Sequence, residues 1–288
     1  MKVWIEGNVV DGSEARISVL DHGLLYGDGV FEGIRVYGRR VFRLDAHLRR
    51  FSTAANFLSL KLPGGIAAVR EIVLETARAF GADEAYVRLI ATRGDGPLGV
   101  DPTQCPEPRL ICIVDRIAVY PEQKRSAGID LLTSSWRRPP ADVLDPRVKS
   151  LNYLNNVMAK LEAKQRGGDE ALLLNAAGAI AETSVANIFA VRDGDLLTPP
   201  AIDGALEGIT RATVLELAAE LEIPARTQSL GRFDLFAADE VFLTGSGAGL
   251  VPVRSLDGRS IGAGGPGPVY EKIWSAFLEA APARGTPF

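Results

Sequence analysis

Short β-branched and aromatic runs bounded by glycine open the chain. Val3-Trp4-Ile5, Asn8-Val9-Val10 and Gly29-Val30-Phe31-Glu32-Gly33-Ile34-Arg35-Val36-Tyr37 each have the length and composition of a strand. Gly38-Arg39-Arg40 supplies a hairpin turn into a further strand, Val41-Phe42-Arg43-Leu44. The period then changes. Leu48, Phe51, Ala55 and Leu58 recur at helical spacing after Asp45, a residue suited to capping a helix. Pro63-Gly64-Gly65 breaks that pattern, and Ile66, Val69, Ile72, Val73 and Ala77 mark one face of a second helix over 66–80. Residues 86–92 and 109–114 return to strand character, with a glycine-rich loop, 93–99, between them.

Residues 120–128 are polar and make the best linker, separating a small N-terminal α+β domain, 1–119, from a larger C-terminal domain, 129–288. A strand follows at 129–133. Proline makes 139–146 irregular. Residues 152–166 form a helix stopped by Gly167-Gly168. Strands at 171–174, 188–191 and 241–243 surround a helix over 210–221, and a last helix runs over 269–281. The strands cluster without strict βα alternation, so the fold class is α+β.

Composition narrows the function. With 47% apolar and 24% charged residues in 288, the chain has the makeup of a soluble globular protein. A net charge of −4 gives no basic footprint for nucleic acid. Cys105 and Cys112 are too few for a disulfide framework. No apolar run approaches the ~20 residues of a spanning helix, and Glu6-Gly7 falls where a signal peptide needs an apolar core. The expected location is the cytoplasm.

Few lysines are present, and Lys149 stands apart from the solvent-facing pair Lys160 and Lys164. It follows a proline-constrained loop and precedes Leu151, Tyr153 and Leu154. A lysine held rigidly against apolar neighbours can lose its proton and condense with a carbonyl. On local sequence alone, an ordinary loop lysine is the simpler reading. Gly208-Ile209-Thr210-Arg211 opens a helix whose free amides and dipole favour an anion, with Thr210 placed to cap it. Thr244-Gly245-Ser246-Gly247-Ala248-Gly249 is a tight turn able to expose successive amides as an anion nest.

The ordered set Asp145-Pro146-Arg147-Val148-Lys149-Ser150-Leu151-Asn152-Tyr153, Glu182-Thr183-Ser184-Val185-Ala186-Asn187 and Gly208-Ile209-Thr210-Arg211 resembles the class IV (fold type IV) aminotransferases, which use pyridoxal phosphate (PLP). The resemblance implies a two-domain fold type IV enzyme whose larger C-terminal α/β domain binds PLP. It implies that Lys149 forms the internal aldimine and shuttles the substrate proton, a role favoured by a pKa near operating pH. Glu182 would pair with the pyridinium nitrogen, which lets the ring accept carbanion electrons. Tyr153 would bond the phenolic oxygen. Arg50, Leu206, Ile209, Thr210 and Ser246 would complete the cofactor site, Arg50 clamping the phosphate. Asn187 reads as a turn or strand-start residue.

Within that class, Val30-Phe31-Glu32-Gly33-Ile34-Arg35 is similar to branched-chain amino acid aminotransferases. The likeness implies that Tyr26, Phe31, Gly33 and Arg35 line the side-chain pocket. Arg88 would serve the second carboxylate of glutamate, and the Gly247 and Ala248 amides the α-carboxylate. Amino acids and 2-oxo acids would be the partners, with 2-oxoglutarate as acceptor in a ping-pong cycle, and a homodimer or larger homo-oligomer is implied. No metal is called for. D-amino acid enzymes of the class carry Arg-x-His after Thr-Arg-Gly, where this chain has Leu98 and Val100. A D-amino acid or (R)-amine aminotransferase and an aminodeoxychorismate lyase remain alternatives on the same scaffold.

Overall fold

A computed structural model describes residues 1–288. The chain packs as two units that do not follow one cut in the sequence. The first gathers Met1–Ile117, Val148–Asn152 and Ala281–Phe288; the second holds Ala118–Arg147 and Tyr153–Ala280.

In the first unit, β1 (Lys2–Ile5), β2 (Asn8–Asp11), α1 (His22–Tyr26), β3 (Gly29–Tyr37), β4 (Arg40–Phe42), α2 (Leu44–Phe57), α3 (Gly65–Phe80), β5 (Ala85–Thr92) and β6 (Arg109–Asp115) follow in order. The C-terminal strand Gly285–Pro287 joins them, giving a seven-stranded antiparallel sheet with β3 and β5 near its middle. Val30, Ile34 and Val36 of β3 pack with Leu48, Phe51, Val69 and Val73 of the two long helices. Strand β3 has the bounds that its glycine and β-branched pattern predicts. The hairpin closes on Gly38 and Arg39, both with positive φ, so Arg40 already pairs with Tyr37.

Three local expectations fail here. Leu44 belongs to α2, not to β4, and the N-cap is Arg43 in the left-handed region, without a side-chain cap bond. Asp45 lies in the first turn and pairs with Arg70. Ile66 is exposed, while Val69, Ile72, Val73 and Ala77 are buried as their spacing predicts.

The second unit contains α4 (Glu122–Ala127), β7 (Ile129–Arg137), α5 (Ala141–Leu144), α6 (Leu154–Gln165), β8 (Glu170–Leu174), β9 (Ile180–Thr183), β10 (Asn187–Arg192), β11 (Asp195–Thr198), α7 (Ile209–Glu220), β12 (Ala225–Thr227), α8 (Arg232–Phe236), β13 (Glu240–Gly245), β14 (Gly249–Leu256), β15 (Arg259–Ser260) and most of α9 (Pro268–Ala283). Its mixed sheet runs β12-β11-β10-β13-β14-β7-β8-β9 and buries Leu131, Leu172, Ile188, Leu243 and Val251. The polar stretch expected as a linker is largely α4. It is anchored in this unit because the Arg125 guanidinium donates to the Ala248 carbonyl at 2.9 Å and lies over Trp274. No helix is long and apolar enough to cross a membrane.

Candidate active site

Lys149 belongs by packing to the first unit. Its carbonyl accepts from the Phe31 amide at 2.9 Å, and the Leu151 amide donates to the Gly29 carbonyl at 2.9 Å. Val30 and Ser150 form an isolated antiparallel bridge. Val148 packs on the apolar core. These main-chain bonds lay the lysine segment along the start of β3. The Lys149 Nζ then stands 4.5 Å from the centre of the Phe31 ring, and the Arg88 guanidinium lies 4.2 Å from the same ring.

Alternation along β3 sorts the other residues onto two faces. Gly33 pairs with Arg88 and Arg35 with Tyr86, so Phe31, Gly33, Arg35, Tyr86 and Arg88 share one face. A Cβ on Gly33 would lie 2.0 Å from the Tyr86 hydroxyl, which explains the glycine. Arg35 donates to the Ile117 carbonyl at 3.3 Å and pairs with Glu84 at 3.7 Å. Tyr26 is placed differently: it ends α1, and its hydroxyl accepts from the Gly99 amide at 2.7 Å.

The opposite face of β3 carries a residue that sequence reading passed over. Glu32 is fully buried and accepts a forked pair from Arg50, 2.7 Å from Nε and 2.8 Å from Nη2, plus a 2.7 Å bond from His47 Nδ1. Burial pushes the Glu32 carboxyl up, but the adjoining Arg50 charge and these bonds outweigh it and hold the group at about 2. Burial lowers the His47 pKa against the opposing pull of Glu32, and its Nε2 has no hydrogen-bond partner. A carboxylate inside an otherwise apolar strand was the available signal, because such a charge needs a partner.

In the second unit, Glu182 sits buried on β9. Its Oε1 accepts from Arg138 Nη2 at 2.5 Å, and its Oε2 accepts from Asn187 Nδ2 at 3.0 Å and from the Leu206 amide at 3.1 Å. Leu206 thus contributes a main-chain donor. Asn187 starts β10, as expected, and also donates to the Leu206 carbonyl at 2.9 Å. Arg138 carried no role in the sequence reading.

Helix α7 begins at Ile209 with Gly208 as its N-cap. Thr210 is therefore inside the first turn and does not cap the helix. Gly208 admits a close neighbour, but that neighbour is the Asn187 side chain, whose Oδ1 would lie 1.9 Å from an added Cβ. The Thr210 and Thr244 hydroxyls are buried and have no hydrogen-bond partner within the chain. Ser246-Gly247-Ala248 closes the β13–β14 hairpin, and α7 packs against β13. Tyr153 is the N-cap residue of α6. Buried hydroxyls without acceptors, together with the open amides of a helix start, fit an oxyanion such as a cofactor phosphate.

In the first unit a lysine lies along the start of β3; in the second, a buried carboxylate is braced by an arginine and a helix start suits an oxyanion. Comparison with known proteins identifies the class. Residues 29–256 match the family description "Amino-transferase class IV". A Methanocaldococcus jannaschii protein, provisionally assigned as a branched-chain-amino-acid aminotransferase, is 45% identical over 279 residues, covering 97% of this chain and 96% of its own. The crystal structure of the Escherichia coli branched-chain amino acid aminotransferase superposes with a TM-score of 0.94 at 34% identity, covering 99% and 95% of the two chains. The T.th. branched-chain amino acid aminotransferase is 38% identical over 98% of this chain and 94% of its own. It is solved with pyridoxamine 5′-phosphate (TM-score 0.93), with N-(5′-phosphopyridoxyl)-L-glutamate (0.91) and with 4-methylvaleric acid (0.91). The chain belongs to the class IV aminotransferases and has their fold type IV architecture.

Proposed function

We propose that this protein transfers the amino group of L-leucine, L-isoleucine or L-valine to 2-oxoglutarate, with pyridoxal 5′-phosphate as cofactor. The observation that carries the reading is Lys149, fixed by main-chain bonds to β3 with its amine against the Phe31 ring. When bound, PLP supplies a carbonyl for the lysine and an electron sink for the substrate carbanion.

The chain's own groups then divide the work. Lys149 holds the cofactor and moves the proton at the substrate Cα. Glu182 faces the ring nitrogen and keeps it protonated, and Tyr153 serves the phenolic oxygen. Arg50, the start of α7 at Ile209 and Thr210, and Ser246 receive the phosphate, while the Gly247 and Ala248 amides receive the α-carboxylate. Phe31 and Gly33 offer an apolar wall to an aliphatic side chain, with Tyr26 at its margin. Arg88 of β5 and Arg35 of β3, on the same sheet face, suit the second carboxylate of glutamate.

The ligands of the T.th. relative support both demands. One is a phosphopyridoxyl glutamate, and the other, 4-methylvaleric acid, is leucine without its amino group. One pocket serving two substrates in turn is a ping-pong scheme. The same reading takes the chain as a homodimer or larger homo-oligomer in the cytoplasm. The exposed apolar side chains Val19, Leu24, Leu98 and Val100 of the first unit support assembly.

The test is a visible absorption spectrum of PLP-loaded protein before and after L-leucine, beside the Lys149→Ala variant. A cofactor band that bleaches with L-leucine and is missing in the folded variant is expected. A band indifferent to L-leucine moves the substrate to D-amino acids, amines or a lyase substrate. No band in the parent protein refutes the reading.

A further inference from the structure

We propose that Arg138 is a positioning residue that keeps Glu182 an anion and thereby fixes the proton on the ring nitrogen of the bound cofactor. The inference rests on the functional reading above and deepens it.

Arg138 follows β7 directly, and its amide donates to the Leu174 carbonyl at 2.9 Å. Its side chain is 6% exposed, and every arm of the guanidinium is engaged. Nη2 donates to Glu182 Oε1 at 2.5 Å, Nη1 to Asn156 Oδ1 at 2.9 Å and Nε to the Gly204 carbonyl at 3.2 Å. Asn156 is itself held, donating to the Ser184 carbonyl at 2.7 Å. The charge cannot swing away from Glu182 without breaking three hydrogen bonds, two of them buried.

Glu182 needs that charge. It is buried in a sheet beside Leu172, Leu173 and Ile180, where a carboxylate lacking a cation takes up a proton. Asn187 and the Leu206 amide are neutral donors. A second cation, Arg211 of α7, lies within electrostatic reach of Glu182 and of Glu207. Its own guanidinium, however, is committed to Thr198 Oγ1 and the Pro199 carbonyl. Arg138 is in direct contact.

One proton is at issue between the ring nitrogen and Glu182. The choice lies between an ion pair, carboxylate with pyridinium, and a neutral pair, carboxylic acid with pyridine. Arg138 touches the carboxylate directly, and a ring nitrogen bonded to that carboxylate would be farther from the guanidinium than the carboxylate itself. Coulomb energy falls with distance, so Arg138 stabilises the anion more than it repels the protonated ring. Removing it tips the proton to Glu182 and weakens the electron sink. No other reactant is needed.

The test uses protein loaded with PLP carrying ¹⁵N at the ring nitrogen, read by its ¹⁵N chemical shift, and apo protein titrated with PLP by absorbance. Arg138→Met, with folding checked by circular dichroism, is expected to move the signal toward neutral pyridine. It should also weaken PLP binding by roughly tenfold or more, the equivalent of one pKa unit. Arg138→Lys keeps the charge and should retain the pyridinium signal, although it loses the fork. A folded Arg138→Met with parental signal and affinity overturns the proposal. If Arg138→Met does not fold, Glu182→Gln is compared with Arg138→Met/Glu182→Gln. Equal PLP affinity in those two supports action through Glu182, and a further tenfold loss in the double variant overturns it. Parent protein that takes up no PLP overturns the functional reading itself, and this inference with it.

Discussion

Replacing Glu32 with Gln probes the buried network behind the strand that carries Phe31. Glu32 is fully buried and joined to Arg50 by a two-bond fork and to His47 by a third bond. Its carboxyl falls from an ordinary 4.5 to about 2, which at 1.36 kcal/mol per pKa unit is about 3 kcal/mol of stability at neutral pH. Because the folded value is the lower one, the unfolded chain binds more protons between the two. The contribution is complete above pH 4.5 and is lost as pH falls toward 2. Glutamine keeps the shape but leaves Arg50 beside an uncharged amide, and breaking a buried pair costs about 3–5 kcal/mol. Urea denaturation of the apo protein at pH 7 should therefore show a loss of about 3 kcal/mol, narrowing as the pH falls below 4.5. PLP affinity should fall in parallel, since Arg50 loses the partner that orients it. A variant within about 0.5 kcal/mol of the parent at pH 7, the range of an ordinary surface change, would refute the idea that this pair supports the unit.

Two glycines give sharper steric tests. Gly33→Ala sets a methyl 2.0 Å from the Tyr86 hydroxyl, so the ring must shift. The Michaelis constant for L-leucine should rise about tenfold with the cofactor band intact, and unchanged steady-state kinetics would remove this face from the substrate pocket. Gly208→Ala places a Cβ 1.9 Å from Asn187 Oδ1 and must displace the side chain that bonds Glu182 and the Leu206 carbonyl. PLP affinity measured by absorbance titration should drop, and a parental value would show that Asn187 does not matter to Glu182.

Much of the scaffold was legible in the sequence. Gly29–Tyr37, Gly65–Phe80 and Ile209–Glu220 lie within a residue of where glycine punctuation and apolar spacing put them. Those segments are long or strongly patterned, so local preference and burial agree. Ile180–Thr183 and Asp195–Thr198 do not read as strands: each is four residues long and lacks the adjacent β-branched or aromatic residues that mark β1 and β2. Gly249–Leu256 went unread because Pro252 interrupts its apolar run. Glu122–Ala127 reads as a polar linker in one dimension, and only the reach of Arg125 to the Ala248 carbonyl shows it as an anchored helix.

The site divides the same way. Lys149, Glu182, Arg50 and the start of α7 stood out because their neighbours form an ordered set of motifs that resembles the class IV aminotransferases, and the family match over 29–256 shows the membership. What sequence could not supply was their company. Arg138 meets Glu182 across 44 positions, Glu32 meets Arg50 across 18, and Lys149 joins a strand formed more than a hundred residues earlier. A charged side chain in the sequence carries no sign of its partner, since Coulomb energy depends on distance in space. Sheet register and helix packing set those distances, so only the tertiary structure decides which charges are neutralised and which are left to work on a ligand.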